Sequence, residues 1–588
     1  MIEEQNTSDL WKLTHKARNS GDREGAVSHL EKIQLLEPEN VEAALELSAN
    51  LIELGKLDLA LERHPKDRAS GKHLGRAHYL LGRIYQGQLH TDNAIAAYLA
   101  GIAADPDFLY SYLSLTNIYI DQANLSDAED IVEKALEAKV DHYWPKLLQV
   151  RIIKSKGYTY RALFKAKELL VERPGDFHIS LALIDCLMKL GLLDEVAGVI
   201  EQVDIASDDQ GLRFKIANAR LAWARYDLDL AITQLDEVLE QDPQSIESYD
   251  LLTLIYLMRC DLVNAKRVFY KAVKVKESHA LPHIRAEAKG GMNYMKLLDF
   301  STNPFALREL ELAHRLMPEE QISAIAAVIA KEPNHLGSCI ALLTSLRQNH
   351  IFDNYIPFES TLESSKATVL IPRRIVQFWD SKEIPNDLDL FMQSAIQMNS
   401  DFEHQIFDDA SAEAFIQKEC PTTVLRAYQT ANHPAMRADI FRLAYLYHKG
   451  GVYIDADDRC THSLDKLVEP GYELIVMQEG DASIGNNFLA VAPNHPWIAH
   501  ALENITNFVN QRQGDNIWLV SGPGAVSGSF VRHYLNQFAQ AKMPIGVKVI
   551  PQYLAERSIS MHLPTYYKKE GRHWLGDHPN RRSIFRNP

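Results

Sequence analysis

Small apolar residues recur along the first half of this chain at a fixed interval. Ala26, Ala60, Ala94, Ala128 and Ala162 stand 34 residues apart, Val196 takes the next position, and Ala231 and Ala265 resume the register after a slip. Prolines follow four of these alanines at Pro38, Pro106, Pro174 and Pro243, and glycines precede several of them, as at Gly21 and Gly55. A small residue where two helices cross, with a terminator before the next pair, predicts stacked antiparallel helix pairs. About eight such units fit between Asp9 and Glu277. After Ala60, Arg63-His64-Pro65 breaks the second helix, so that unit should be distorted or carry a loop. From Ser278 to about Thr368 the register fades into helices at Pro304–Met317 and Gln321–Lys331. A polar Ser/Thr/Glu stretch follows at Phe358–Lys366, and we expect a helical connector and linker here.

A different pattern begins at His433. His433-Pro434 opens an amphipathic helix, because proline suits the first turn, where its missing N–H costs nothing. Gly450-Gly451 closes the helix where a left-handed residue is wanted. Val452–Asp455 then reads as a short buried strand. Alternation along it would point Asp455 and Asp457 the same way, roughly 6 to 7 Å apart. The same alternation turns Asp458 toward the surface or a helix cap.

The periodic half resembles the tetratricopeptide repeat, whose period is 34 residues. That resemblance implies a solenoid with a concave face for a protein partner, a peptide or another copy of the chain, the plainer role being a rigid spacer.

Two carboxylates facing one way repel each other unless a cation lies between them, and a hard divalent ion with oxygen ligands meets that need. Such an ion neutralises a diphosphate. Asp439 and Arg442, three apart on one helix face, account by themselves only for an ion pair of about 0.2 to 0.5 kcal/mol. Taken together, Ala438-Asp439, Arg442, Gly450-Gly451, Tyr453 and Asp455-Ala456-Asp457 resemble the signature of the DXD sugar transferases. That family includes fungal Golgi mannosyltransferases and bacterial polysaccharide glycosyltransferases and, more remotely, the large clostridial glucosylating toxins. Ile371–Trp379 is similar to its first strand, with Val376 where the family has His, and Glu403–Asp409 is similar to its second. Asn486-Asn487-Phe488 with His495-Pro496 resembles the segment facing the donor sugar. Ser521–Gly524 resembles a glycine-rich turn, and His573-Trp574 the C-terminal pair.

The resemblance implies a GT-A-like, Rossmann-like domain that takes a hexose from a UDP- or GDP-sugar with Mn²⁺ or Mg²⁺ and retains anomeric configuration. Asp455, Asp457 and His573 would hold the metal; Asp439 and Arg442 would contact the sugar; Gln377, Trp379, Tyr453, Asn487, His573 and Trp574 would bind the donor, Asn487 through a sugar hydroxyl. A basic cluster at Lys568, Lys569, Arg572, Arg581 and Arg582 is expected to close over the diphosphate. The acceptor would be a saccharide of capsule or lipopolysaccharide type. The alternatives are a protein captured by the repeats and an inactive repeat scaffold.

Composition narrows the surroundings. A chain of 588 residues with 46% hydrophobic and 24% charged residues is globular and too long for one core. A net charge of -16 argues against nucleic acid and anionic membranes as partners. Five scattered cysteines, Cys186, Cys260, Cys339, Cys420 and Cys460, show no zinc spacing and fit a reducing compartment. Cys460, though close to the two aspartates, reads as a packed thiol. No apolar run reaches membrane-spanning length, and the first residues are acidic where a signal peptide is basic. The expected protein is cytoplasmic, or peripheral to the inner face of a membrane. It has an α + α/β organisation: repeats over 1–277, a connector over 278–368 and the glycosyltransferase domain over 369–588.

Overall fold

The computed structural model describes residues 6–65, 67–138, 143–279, 291–353, 369–568 and 583–586. Among them, eight helices begin at Arg23, Leu57, Thr91, Leu125, Thr159, Leu193, Leu228 and Leu262, at the interval of the sequence register. The register residue, from Ala26 to Ala265, is the fourth of each such helix and is fully buried. A side chain that stops at Cβ lets the partner helix come close at the crossing. The helix carrying Ala60 ends at Arg63 after seven residues, because Pro65 excludes the helical conformation at His64.

Packing divides the chain into two compact units, Met1–Ser155 with Ala272–Lys289, and Lys156–Lys271 with Gly290–Pro588. The second unit holds the later repeats together with the sheet. Within it, Ser560 Oγ donates to Gly157 O at 2.6 Å, Lys189 Nζ to Met561 O at 3.1 Å and Arg557 Nε to Leu190 O at 2.9 Å. The stretch expected as a connector contributes to this core. Its helix Leu336–Gln348 is buried along almost its whole length, and Arg347 reaches Gln478 Oε1 at 2.8 Å and Val549 O at 3.0 Å. The helix expected from Gln321 starts earlier, at Pro318, where proline takes the first turn, and the one from Pro304 stops at Ala313. Phe358–Lys366 lies outside the described residues.

The strands are β1 Arg374–Phe378, β2 Glu403–Phe407, β3 Gly451–Ile454, β4 Arg459–Cys460, β5 Leu474–Gln478, β6 Ile484–Val491, β7 Val547–Pro551 and β8 Ile559–Ser560. Six form one sheet in the order β2-β1-β3-β6-β5-β7, and β4 pairs with β8 separately. Only β6 runs against its neighbours. The carboxyl ends of β1, β3, β5 and β7 therefore share one edge with the amino end of β6, and that is the edge where open α/β sheets bind ligands. β3, β5 and β6 are buried throughout, as central strands covered on both faces must be. Gly451, at φ +109°, brings its backbone so close to Arg374 O that a Cβ would stand 2.7 Å from it.

Candidate active site

The aspartate motif lies just past β3. The strand ends at Ile454, and Asp455–Asp458 form a turn in which Asp458 N–H donates to Asp455 O at 3.1 Å. Strand alternation therefore stops before it reaches the motif, which corrects the placement of Asp458. That residue is buried, and its carboxylate accepts from Asn487 Nδ2 at 3.0 Å. Burial, with the charges of Asp457 and Asp455 beside it, pushes its carboxyl well above the usual range. Asp455 N–H donates to Asn487 O at 3.1 Å, tying the turn to β6.

Helix Pro434–Lys449 sets the charge beneath this turn. Arg442, 4% exposed, stands 3.2 Å from Asp439 and 3.2 Å from Asp455, donates to Asn486 O, and lies 4.3 Å over the Tyr453 ring. Asp439 also accepts from Asn486 Nδ2 at 2.8 Å and from Ser521 Oγ at 2.7 Å. The expected ion pair is thus one edge of a buried network. Ser521-Gly522 enters helix Pro523–His533 at the point where Ser521 reaches Asp439. An ionised carboxylate accepts at about four lone-pair sites, so Asp439 keeps capacity for a ligand hydroxyl.

The outer side of the turn carries a cation already. Burial works against ionisation of Asp457, yet Lys568 Nζ at 2.6 Å and the Tyr567 hydroxyl, donating at 2.9 Å, hold its carboxyl below the usual range. Burial pushes Asp455 up to about 6, with Arg442 pulling the other way and Asp457 adding to the rise. Asp455 and Asp457 keep 29% and 21% of their side chains exposed. Two partly open carboxylates, one of them already drawing an ammonium group, fit a divalent cation. Among the described residues no third acid, His or Cys joins them as a metal-holding group. The remaining ligands would be phosphate and water oxygens, as Mg²⁺ commonly has.

Trp379, just past β1, packs edge to face on Tyr567 with ring centres 5.2 Å apart, and its buried Nε1 has no partner among the described residues. Gln377 is committed within the protein, donating to Asp455 O at 3.4 Å and lying 2.8 Å from His404 Nε2. Tyr453 is buried beneath Arg442 and packs there. His573, Trp574, Lys569, Arg572, Arg581 and Arg582 lie outside the described residues. The Cys460 thiol is buried and raised to about 12 by that burial, which makes it a packed residue.

His495-Pro496 is not at this edge. It follows the far end of β6, and His495 lies 3.7 Å from Glu473, next to the start of β5. Burial, helped by His533, pushes the His495 imidazole down to about 4. The unfolded chain takes up that proton near pH 6.5 while the folded chain resists it, so stability falls as pH drops from about 6.5 to about 4. We expect His495 to account for about 3 kcal/mol of that loss. Urea midpoints across this range should show it, and His495→Gln should flatten the dependence.

Residues 385–472 match the glycosyltransferase sugar-binding region containing DXD motif, a span that includes Asp439, Arg442, Asp455 and Asp457. The chain carries a DXD glycosyltransferase region. Inositol phosphoceramide mannosyltransferase 3 of Schizosaccharomyces pombe is 31% identical over 144 residues, which make up 24% of this chain and 40% of that protein. Mannosyl phosphorylinositol ceramide synthase SUR1 of Saccharomyces cerevisiae is 26% identical over 179 residues, 30% of this chain and 44% of its own. The chain spans less than half the length of these two relatives. A tetratricopeptide repeat protein from Parabacteroides merdae aligns with 40% of this chain and 93% of its own at 17% identity and a TM-score of 0.34. Outside the DXD glycosyltransferase region, sequence reasoning missed Asn486 and Ser521 as partners of Asp439, and Tyr567 as a partner of Asp457. The Asn486-Asn487 doublet was the one local signal for any of them.

Proposed function

We propose that this protein is a glycosyltransferase that moves a hexose from a nucleotide-diphosphate sugar to a saccharide hydroxyl, with a divalent cation at Asp455 and Asp457. The observation that carries this reading is the buried Asp439–Arg442–Asp455 network, whose outer side opens at Asp457 beside Trp379. Bound there, the cation would stabilise the charge that develops on the leaving diphosphate. Arg442 holds Asp455 in place and Asp439 offers a remaining lone pair to a sugar hydroxyl. Trp379 supplies the nucleotide base with a ring face and an N–H that has no partner among the described residues. Lys568, on Asp457 in this structure, is positioned to move onto the diphosphate when a cation takes the carboxylate. Asp439 is bound on both oxygens, which leaves no unengaged carboxylate there to act as a nucleophile. The family resemblance implies retained configuration, and attack assisted by the leaving phosphate is the route we propose for it. The relatives named a mannosyltransferase and a mannosyl phosphorylinositol ceramide synthase make mannose the first hexose to try. A saccharide of capsule or lipopolysaccharide type remains our acceptor class.

A panel of UDP- and GDP-hexoses with Mn²⁺ or Mg²⁺ tests this. One donor should be hydrolysed, chelation should stop the release of nucleotide, and re-adding the ion should restore it. Release that is indifferent to chelation would remove the cation from the mechanism, and hydrolysis of no donor would remove the enzyme.

A further inference from the structure

The same sheet edge carries a second carboxyl group that the donor chemistry leaves unused. Glu479 follows β5 directly and opens the turn to β6, its N–H donating to Ser483 O at 2.8 Å. Gly485, on β6, has no Cβ. One built there would stand 2.7 Å from Glu479 Oε1, 2.9 Å from Met477 Cε and 3.1 Å from Asn487 Oδ1, so the two oxygens lie over the same glycine on one face of the strand. Asn487 is 7% exposed, its amide N–H is committed to Asp458, and Oδ1 has no partner among the described residues. A buried carbonyl oxygen left in that state is costly unless a ligand brings a donor to it.

The turn behind Glu479 is held firmly. Asp481 pairs with Lys296 Nζ; Lys296 is 3% exposed and lies 4.7 Å over the Trp518 ring. Trp223, from the later repeats of the same compact unit, places its indole 3.0 Å from where a Cβ on Gly480 would be. Burial and the nearby charge of Asp481, with Asp455 contributing, push the Glu479 carboxyl up to about 8. A carboxyl group of that kind both donates to and accepts from a hydroxyl group.

We propose that Glu479 and Asn487 Oδ1 form the subsite that receives the acceptor hydroxyl of a saccharide, one strand over from the donor site. The inference rests on the glycosyltransferase reading. In the transfer, the acceptor oxygen bonds to the anomeric carbon while the bond from that carbon to the phosphate oxygen breaks. The electron pair of the broken bond goes to that phosphate oxygen, which also takes the hydroxyl proton. Glu479 orients the hydroxyl on the same face of the sugar as the leaving phosphate, within reach of the oxygen that takes its proton, and it carries the same charge before and after.

The test uses the full chain, the donor it hydrolyses, and methyl α-mannopyranoside and methyl α-glucopyranoside as acceptor probes at millimolar concentration. Glu479→Ala should lower the ratio of transfer to hydrolysis by about 10- to 100-fold, the span expected when a hydrogen-bonding partner is removed and a buried polar group is left unsatisfied. It should raise the KM for the glycoside without raising that for the donor, and Glu479→Asp should recover part of the ratio. An unchanged ratio, or transfer and hydrolysis falling in equal proportion, would overturn the subsite. A wild type that hydrolyses donor yet transfers to neither glycoside would overturn it as a saccharide site. A wild type that hydrolyses no donor overturns the glycosyltransferase reading itself and this subsite with it.

Discussion

Replacing Asp457 with alanine should lower donor hydrolysis at saturating donor by about 100- to 1000-fold, the usual loss when one preorganised electrostatic group at a reacting oxygen is removed. Of the three acids in the turn, Asp457 is the one held ionised, by Lys568 at 2.6 Å and Tyr567 at 2.9 Å. Asp455 is pushed up to about 6, and Asp458 well above its usual range. A cation therefore depends most on Asp457. The variant should still unfold in one cooperative thermal transition, since the lost contacts to Lys568 and Tyr567 are set against relieved repulsion with Asp455 and Asp458, and no core is emptied. Asp458→Asn, which replaces an already neutral-leaning carboxyl with its isostere, should cost far less activity. Nucleotide release from wild type and both variants, with melting curves alongside, makes the comparison, and equal release from wild type and Asp457→Ala would defeat the assignment.

Arg442→Leu should act on the fold itself. The guanidinium is 4% exposed and bonded to Asp439, Asp455 and Asn486 O, so removing it strands the buried carboxylate of Asp439 and the partly open one of Asp455. Breaking a buried pair in this way costs about 3 to 5 kcal/mol. Without Arg442 the carboxyls of Asp439 and Asp455 rise further, and a raised carboxyl contributes stability that is lost as pH increases through its folded value. The variant should therefore be more stable at about pH 5 than at about pH 7.5, reversing the trend expected from His495 alone. Urea unfolding at the two pH values reads this directly. Wild-type stability at both would show that the network is dispensable.

The comparison of sequence with structure turns on how far each interaction reaches. The 34-residue register was legible because each helix pair packs mainly against its neighbours, and the fully buried residues from Ala26 to Ala265 carry it. The helix from His433 to Gly450 and the pairing of Asp439 with Arg442 were legible for the same reason, since caps and i,i+3 contacts lie within one element. Asp458 was misplaced because strand alternation was carried past Ile454, where the backbone turns. His495 was misplaced because nearness in sequence to Asn487 was read as nearness in space, while β6 separates them along its length.

The sequence by itself therefore determined the repeat, the aspartate motif and the charge beside it, all of them properties of short stretches of chain. Tertiary structure alone decided that Ser521 and Asn486 complete the shell of Asp439, that Lys568 sits on Asp457, and that Glu479 meets Asn487 over Gly485. The reason is the antiparallel placement of β6 between β3 and β5. It brings to one edge residues whose separation in sequence carries no periodic or capping signal.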